Sequence, residues 1–276
     1  MVAVMSKASE LPRHDGNLKL HRNGVFGGVS SLPVHSETPV NTGLPQSGTA
    51  RAIKYLSLGV PAHFAHKPAH GGARNRADRE SHGLSARQIS NLAAAAHHAS
   101  IIGLPLNRMI TIHWQAAGLP LMAMAKATYR FTDLMTKALT RRGARSAWLW
   151  VHENGDRKGG HCHMLAHIPA DLAPEFTGLQ RGWLRLITGQ PYRRGVIHGK
   201  PIGGRLGLET GNPDLHAINL HAALSYVLKG ASEAAATITN TNRHEPGGRI
   251  IGKRCATSQN IGARARARLQ QKGSQK

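Results

Sequence analysis

Four residue types in the middle of this chain recur at spacings that suit work on a phosphate ester. His161 and His163 stand at i and i+2 in HCHMLAHI. On a strand that spacing sets both rings on one face, where neutral imidazole nitrogens can grip one divalent cation. Glu153 ends the preceding segment SAWLWVHE and can be brought across a hairpin to add a hard carboxylate oxygen. Two histidines and one carboxylate leave coordination positions open, as a catalytic metal needs. His152 and His167 compete for the third ligand position. A one-residue change of register would turn His152 inward, and His167 lies two pleats beyond His163, where a hydrogen bond to a substrate or neighbour suits it better. The ordinary alternatives are chance pairing among 18 histidines and a Glu153 that merely pairs with Arg157 or Lys158.

Tyr226 and Lys229 form a second pair, three residues apart in HAINLHAALSYVLKG. A phenol has an unperturbed pKa of about 10, so a tyrosine nucleophile needs positive charge close by, from a lysine or a metal. On a helix the two side chains can reach the same phosphate. The plain alternative is a half-buried tyrosine on an amphipathic helix beside a solvated lysine.

These residues need elements to hold them. SAWLWVHE (146–153) and HCHMLAHI (161–168) read as strands joined by the Gly-rich NGDRKGG, and should pair antiparallel. Period two sends His161, His163, Leu165 and His167 to one face and Cys162, Met164, Ala166 and Ile168 to the other, so one face is core and the other carries imidazoles. RMITIHW (108–114) is a further strand. Ser85 with Gln88 makes a capping box ahead of an Ala-rich helix, a second helix spans about 120–142, and 216–230 is a third. In the last, Leu220, Ala223, Leu224, Val227 and Leu228 repeat with the helical period, leaving Tyr226 on the flank of the stripe.

The charge balance points to a polyanionic partner: 36 Lys and Arg face 14 Asp and Glu, a net +22 over 276 residues. No apolar run is long enough for a membrane span, and MVAVMSKASELPRHD lacks the apolar core of a signal peptide, so a soluble cytoplasmic protein with no membrane partner is expected. Cys162 and Cys255 form no CxxC pair. Residues 1–84 read as a mostly disordered basic arm, 85–248 as the domain carrying the site, and 249–276, with eight Lys or Arg and no acid, as a basic tail suited to nucleic acid. Arg193, Arg194, Lys200 and Arg205, with Arg181 and Arg185, lie between Glu175 and Glu209 without an intervening acid and are the candidate DNA contacts.

Taken together, the segments resemble the HUH endonucleases, and within them the single-tyrosine replication initiators. ITIHW stands for the first conserved strand, His161-Cys162-His163 for the His-hydrophobe-His motif, and Tyr226-Val227-Leu228-Lys229 for the tyrosine motif, over roughly residues 105–231. Glu153 sits where such initiators often carry a third metal ligand. His113 departs from the small or hydroxyl residue commoner there, and Gly230 stands where two-tyrosine members place their second tyrosine. The resemblance implies an α+β fold, a central antiparallel sheet flanked by helices, with the histidines on a middle strand and the nucleophile on a helix beside it. It further implies Mg²⁺ or Mn²⁺, a single-stranded or hairpin origin DNA, host replication proteins as further partners, and Tyr226 attacking a phosphate to leave a 5′-phosphotyrosine and a free 3′-OH that primes rolling-circle synthesis. A relaxase or single-strand transposase would use the same chemistry, and a basic DNA-binding protein with a structural metal, or none, would use neither.

Overall fold

The computed structural model describes residues 78–203, 212–239 and 244–273. Most of the N-terminal arm and Arg205 lie outside these residues.

Among the described residues, strands β1 (Glu80–Ser81), β2 (Arg108–Ile112), β3 (Trp148–Gly155), β4 (Gly159–Ala166), β5 (Ile197–Pro201), β6 (Ile250–Ile251) and β7 (Cys255–Thr257) are interspersed with six α-helices. These are α1 (Ala86–Ile101), α2 (Met124–Thr140), α3 (Ala173–Thr188), α4 (Pro213–Leu228), α5 (Glu233–Thr239) and α6 (Ala263–Gly273). Five strands form one sheet in the order β5-β2-β4-β3-β7, every neighbouring pair antiparallel, while β1 and β6 pair separately. The fold is α+β, a central antiparallel sheet flanked by helices, with the histidine strand β4 in the middle.

Local signals set the helix ends. The Ser85 hydroxyl accepts from Gln88 N while the Gln88 side chain returns to Ser85 N, completing the capping box that starts α1. Helix α4 begins three residues earlier than the sequence predicts, because Asn212 accepts from Leu215 N and Pro213 occupies the first turn. Helix α3, which the sequence analysis does not predict, carries comparable marks: proline in its first turn and Gly189 in the left-handed conformation at its end.

Both faces of the sheet are covered. Met109, Leu149, Val151, Leu165 and Cys255 pack against α1 and α4, and Ile110, Ile112, Trp150, Cys162, Met164 and Ala256 against α2 and α3. Each large apolar side chain so enclosed contributes about 1.5–3 kcal/mol of burial free energy. The expectation of one core face and one imidazole face is therefore corrected: His161 and His163 share their face with a hydrophobic cluster and are themselves buried.

The basic tail is corrected too. From residue 250 the chain supplies β6, the sheet-edge strand β7 and α6, and Ile250, Cys255, Ala256 and Ile261 are buried. The apolar signal is a few residues long and lies among cations, so charge counting hides it. Arg254, counted there among the cations of a tail suited to nucleic acid, is 2% exposed. Its guanidinium donates to Ser81 O, Gly247 O and Gly248 O, to Ser81 Oγ and to His152 O, which ties β1 and the 247–248 turn to β3.

Candidate metal centre

The β3–β4 hairpin does most of the positioning. Its register sets Glu153 opposite His161 and Val151 opposite His163, so all four side chains leave the sheet on the same side. The turn closes through Gly159 at φ +60°, where a Cβ would lie 2.2 Å from Gln115 Oε1. Gln115 uses that oxygen to accept from Gly160 N, pinning the strand that carries the histidines. Helix α4 then delivers Tyr226 and Lys229 from its C-terminal end. The Tyr226 ring stands edge-on to His163 with centroids 5.0 Å apart.

Three nitrogens converge on one oxygen. Glu153 Oε2 lies 3.4 Å from His161 Nε2, 3.6 Å from His163 Nε2 and 2.6 Å from Lys229 Nζ. Lys229 also reaches Glu245 Oε2 at 3.0 Å. Glu153, His161, His163 and Lys229 are buried, whereas Glu245 is about half exposed.

Hydrogen bonding explains why the imidazoles point as they do. His161 Nδ1 is 2.8 Å from Gly159 O, which can only accept, so Nδ1 carries the proton and neutral His161 keeps a lone pair on Nε2. His163 Nδ1 is 2.9 Å from Thr111 Oγ1, and its Nε2 is buried with no hydrogen-bond partner, as is Glu153 Oε1. Imidazole lone pairs turned toward a carboxylate oxygen are unfavourable unless a cation shares the space. The three ligand atoms lie within 4.8 Å of one another. The Glu153–His161 and Glu153–His163 separations, 3.4 and 3.6 Å, are close to the ligand-to-ligand spacing of roughly 3–3.5 Å around a small divalent ion. The donor set, the hydrogen bonds that orient it and its orphaned atoms therefore fit a metal ion, and Glu153, His161 and His163 can hold one.

Charge is balanced against burial throughout. Burial works to raise the Glu153 carboxyl, but the positive charge that faces Oε2, from His161 and His163 whenever they are protonated and from Lys229, outweighs it and holds the group well below the usual carboxylate range. Burial lowers His163 despite the neighbouring carboxylate. Burial also opposes charge on Lys229, yet Glu153 and Glu245 raise it above an ordinary lysine. His113, 5.5 Å from His161 and 5.7 Å from His198 between ring centroids, is lowered to about 4 by burial and then by its histidine neighbours.

Hydrogen bonding takes the other two candidates for the third ligand position away from the cluster. His152 leaves β3 on the opposite face: Trp114 Nε1 donates to Thr128 Oγ1, Thr128 donates to His152 Nε2, and His152 Nδ1 donates to Lys253 O. Both its nitrogens are used, and burial lowers it to about 3. His167 bonds Pro105 O, a neighbour rather than the cluster. Among the basic candidates, Lys200 on β5 lies opposite Met109 on β2 and so on the same side of the sheet as the cluster, with His198 opposite Thr111. Arg193 and Arg194 are exposed ahead of β5.

Four residues at or near the cluster escape the sequence-based site. Thr111 is the polar interruption in the apolar RMITI, a usable sign of a functional face. Glu245 is the last acidic residue of the chain, set among cations. His113 enters only as a departure from a motif, and His198 offers no signal, because its strand is short and polar. Compared with family models, characterised proteins and solved structures, the chain finds no match in any of the three.

Proposed function

We propose that this protein nicks and rejoins single-stranded DNA as an HUH-type endonuclease of the single-tyrosine, replication-initiator kind, with Tyr226 as nucleophile. The observation that carries this reading is the Glu153-His161-His163 cluster with the Tyr226 ring 5.0 Å from one of its histidines. A bound Mg²⁺ or Mn²⁺ would polarise the scissile phosphate through the coordination positions that three protein ligands leave open. Glu153 supplies the hard oxygen that suits such ions, and Thr111 and Gly159 O fix the ring orientations.

The chain's own part is positioning and charge. Tyr226 Oη forms a bond to phosphorus as the bond from phosphorus to the 3′ oxygen breaks. The phenolic proton passes to solvent, and the leaving oxygen takes up a proton to become a 3′-OH. Lys229, with its Nζ 5.3 Å from the Tyr226 ring centroid, sets a positive charge beside the attacking group. Attack by the new 3′-OH, or by that of a second strand, on the phosphotyrosine reverses the step and rejoins DNA without ATP. Lys200 and His198 on the metal side of the sheet, the exposed Arg193 and Arg194, and the net charge of +22 support a nucleic-acid strand lying over β5 toward the cluster.

The test is incubation with labelled single-stranded DNA from the protein's own replicon, with Mn²⁺ or EDTA, followed by denaturing electrophoresis. A metal-dependent covalent adduct that maps to Tyr226 and vanishes in Tyr226→Phe, with DNA affinity retained, is expected. DNA binding with no cut or adduct on any origin or hairpin strand would favour a basic binding protein instead.

A further inference from the structure

We infer that Lys229 and a divalent ion are alternative cations for Glu153, and that Glu245 is the second carboxylate that receives Lys229 when the ion takes its place. The inference rests on the metal site proposed above.

Geometry carries it. The oxygen faced by both imidazole Nε2 atoms is the same Oε2 to which Lys229 Nζ donates at 2.6 Å. A dication held by the two imidazoles and this oxygen would stand beside an ammonium bonded to the same atom, in a buried site that screens the repulsion poorly. Moving the lysine far is costly as well, because a buried ammonium needs a partner. Glu245 Oε2, 3.0 Å from the same Nζ, provides one within a small rotation. The backbone keeps Glu245 within reach, since its N donates to Lys229 O at 2.9 Å and Arg254 fixes the following turn at Gly247 and Gly248.

Room is limited on the other side of Glu153. A Cβ built on Gly230 would lie 3.3 Å from Glu153 Oε1 and 3.2 Å from Gly247 Cα, so backbone lines that flank and the carboxylate has little freedom to turn away. Exchange at Oε2 is left as the way to load the ion. The released ammonium stays beside the Tyr226 ring, so metal loading and the charge available to the nucleophile change together.

The test measures Mn²⁺ affinity by calorimetry on the full chain and on Lys229→Met and Glu245→Gln, with thermal melts in EDTA and in Mn²⁺. Lys229→Met is expected to bind Mn²⁺ about tenfold more tightly than the wild type, to melt lower in EDTA, and to gain more from Mn²⁺. Glu245→Gln, altered at a half-exposed side chain and so expected to fold, should bind Mn²⁺ more weakly, because the displaced ammonium loses its second partner. Equal affinity in all three proteins, or weaker binding by Lys229→Met, would overturn the exchange while leaving the metal site standing. Should Lys229→Met fail to fold, unchanged affinity in Glu245→Gln overturns the exchange by itself. Absence of Mn²⁺ binding in every variant and in the wild type would overturn the metal site, and the exchange with it.

Discussion

Glu153 is the residue on which the cluster turns: it answers two imidazoles and an ammonium with one oxygen, and burial makes each of those contacts matter more than it would in water. Glu153→Gln keeps the shape but removes the charge that offsets Lys229. Metal binding should be lost and stability should fall by about 3–5 kcal/mol, the usual cost of stranding one buried partner of an ion pair. Urea denaturation of the variant without metal checks the second figure; an unchanged midpoint would show that the ion pair contributes nothing. His152 makes the complementary case, because with Thr128 it links Trp114 to Lys253 O and has no nitrogen left for a ligand. Thr128→Val removes the hydroxyl and leaves two buried ring nitrogens unsatisfied. A loss of about 2–5 kcal/mol is expected, with Mn²⁺ affinity unaltered if the opposite face of the sheet has no part in binding.

Among the elements, the β3–β4 hairpin and α4 are legible in the sequence because their signals are local. Alternation over HCHMLAHI, glycines in the turn and a helical repeat in LHAALSYVL each fix an element from a handful of neighbours. The pairing of Glu153 with His161 follows once the hairpin register is right. Strand β7 is not legible, being three residues long and held at the sheet edge by partners about a hundred positions away. Thr111 and Glu245 escape for a like reason: each meets the site only through tertiary contact. Arg254 shows how completely that context decides, since the same residue reads in sequence as one cation of a tail suited to nucleic acid and stands as a buried clamp in the fold. Arg254→Lys cannot reproduce a fork that reaches Ser81, Gly247 and Gly248 together. It should cost about 2–4 kcal/mol and increase proteolysis of the 244–248 segment; limited proteolysis unchanged from wild type would contradict the clamp.

For the whole molecule, charge and buried histidine set the response to solution conditions. Unfolded histidine takes up its proton near 6.5, whereas burial holds His152 down to about 3 and His113 to about 4. Between those limits the unfolded chain binds more protons, so this stabilisation is complete above 6.5 and is lost as pH falls toward the folded values. Urea midpoints should drop steadily from pH 7 to 4; a midpoint that rises on acidification would contradict the buried neutral histidines. A net charge of +22 makes any DNA affinity steeply salt-dependent, with a loss of about a hundredfold or more expected between about 50 and 200 mM salt if several phosphates are contacted. Among the described residues no helix is long and apolar enough to cross a membrane. The proposed chemistry depends most on a divalent ion being held by Glu153, His161 and His163, and pulsed electron paramagnetic resonance of Mn²⁺ added to the purified chain tests that directly. One bound Mn²⁺ per chain with nitrogen couplings from imidazole, lost in His161→Ala and His163→Ala, is predicted. A spectrum that stays that of the free hydrated ion, or nitrogen couplings that survive both substitutions, would contradict it.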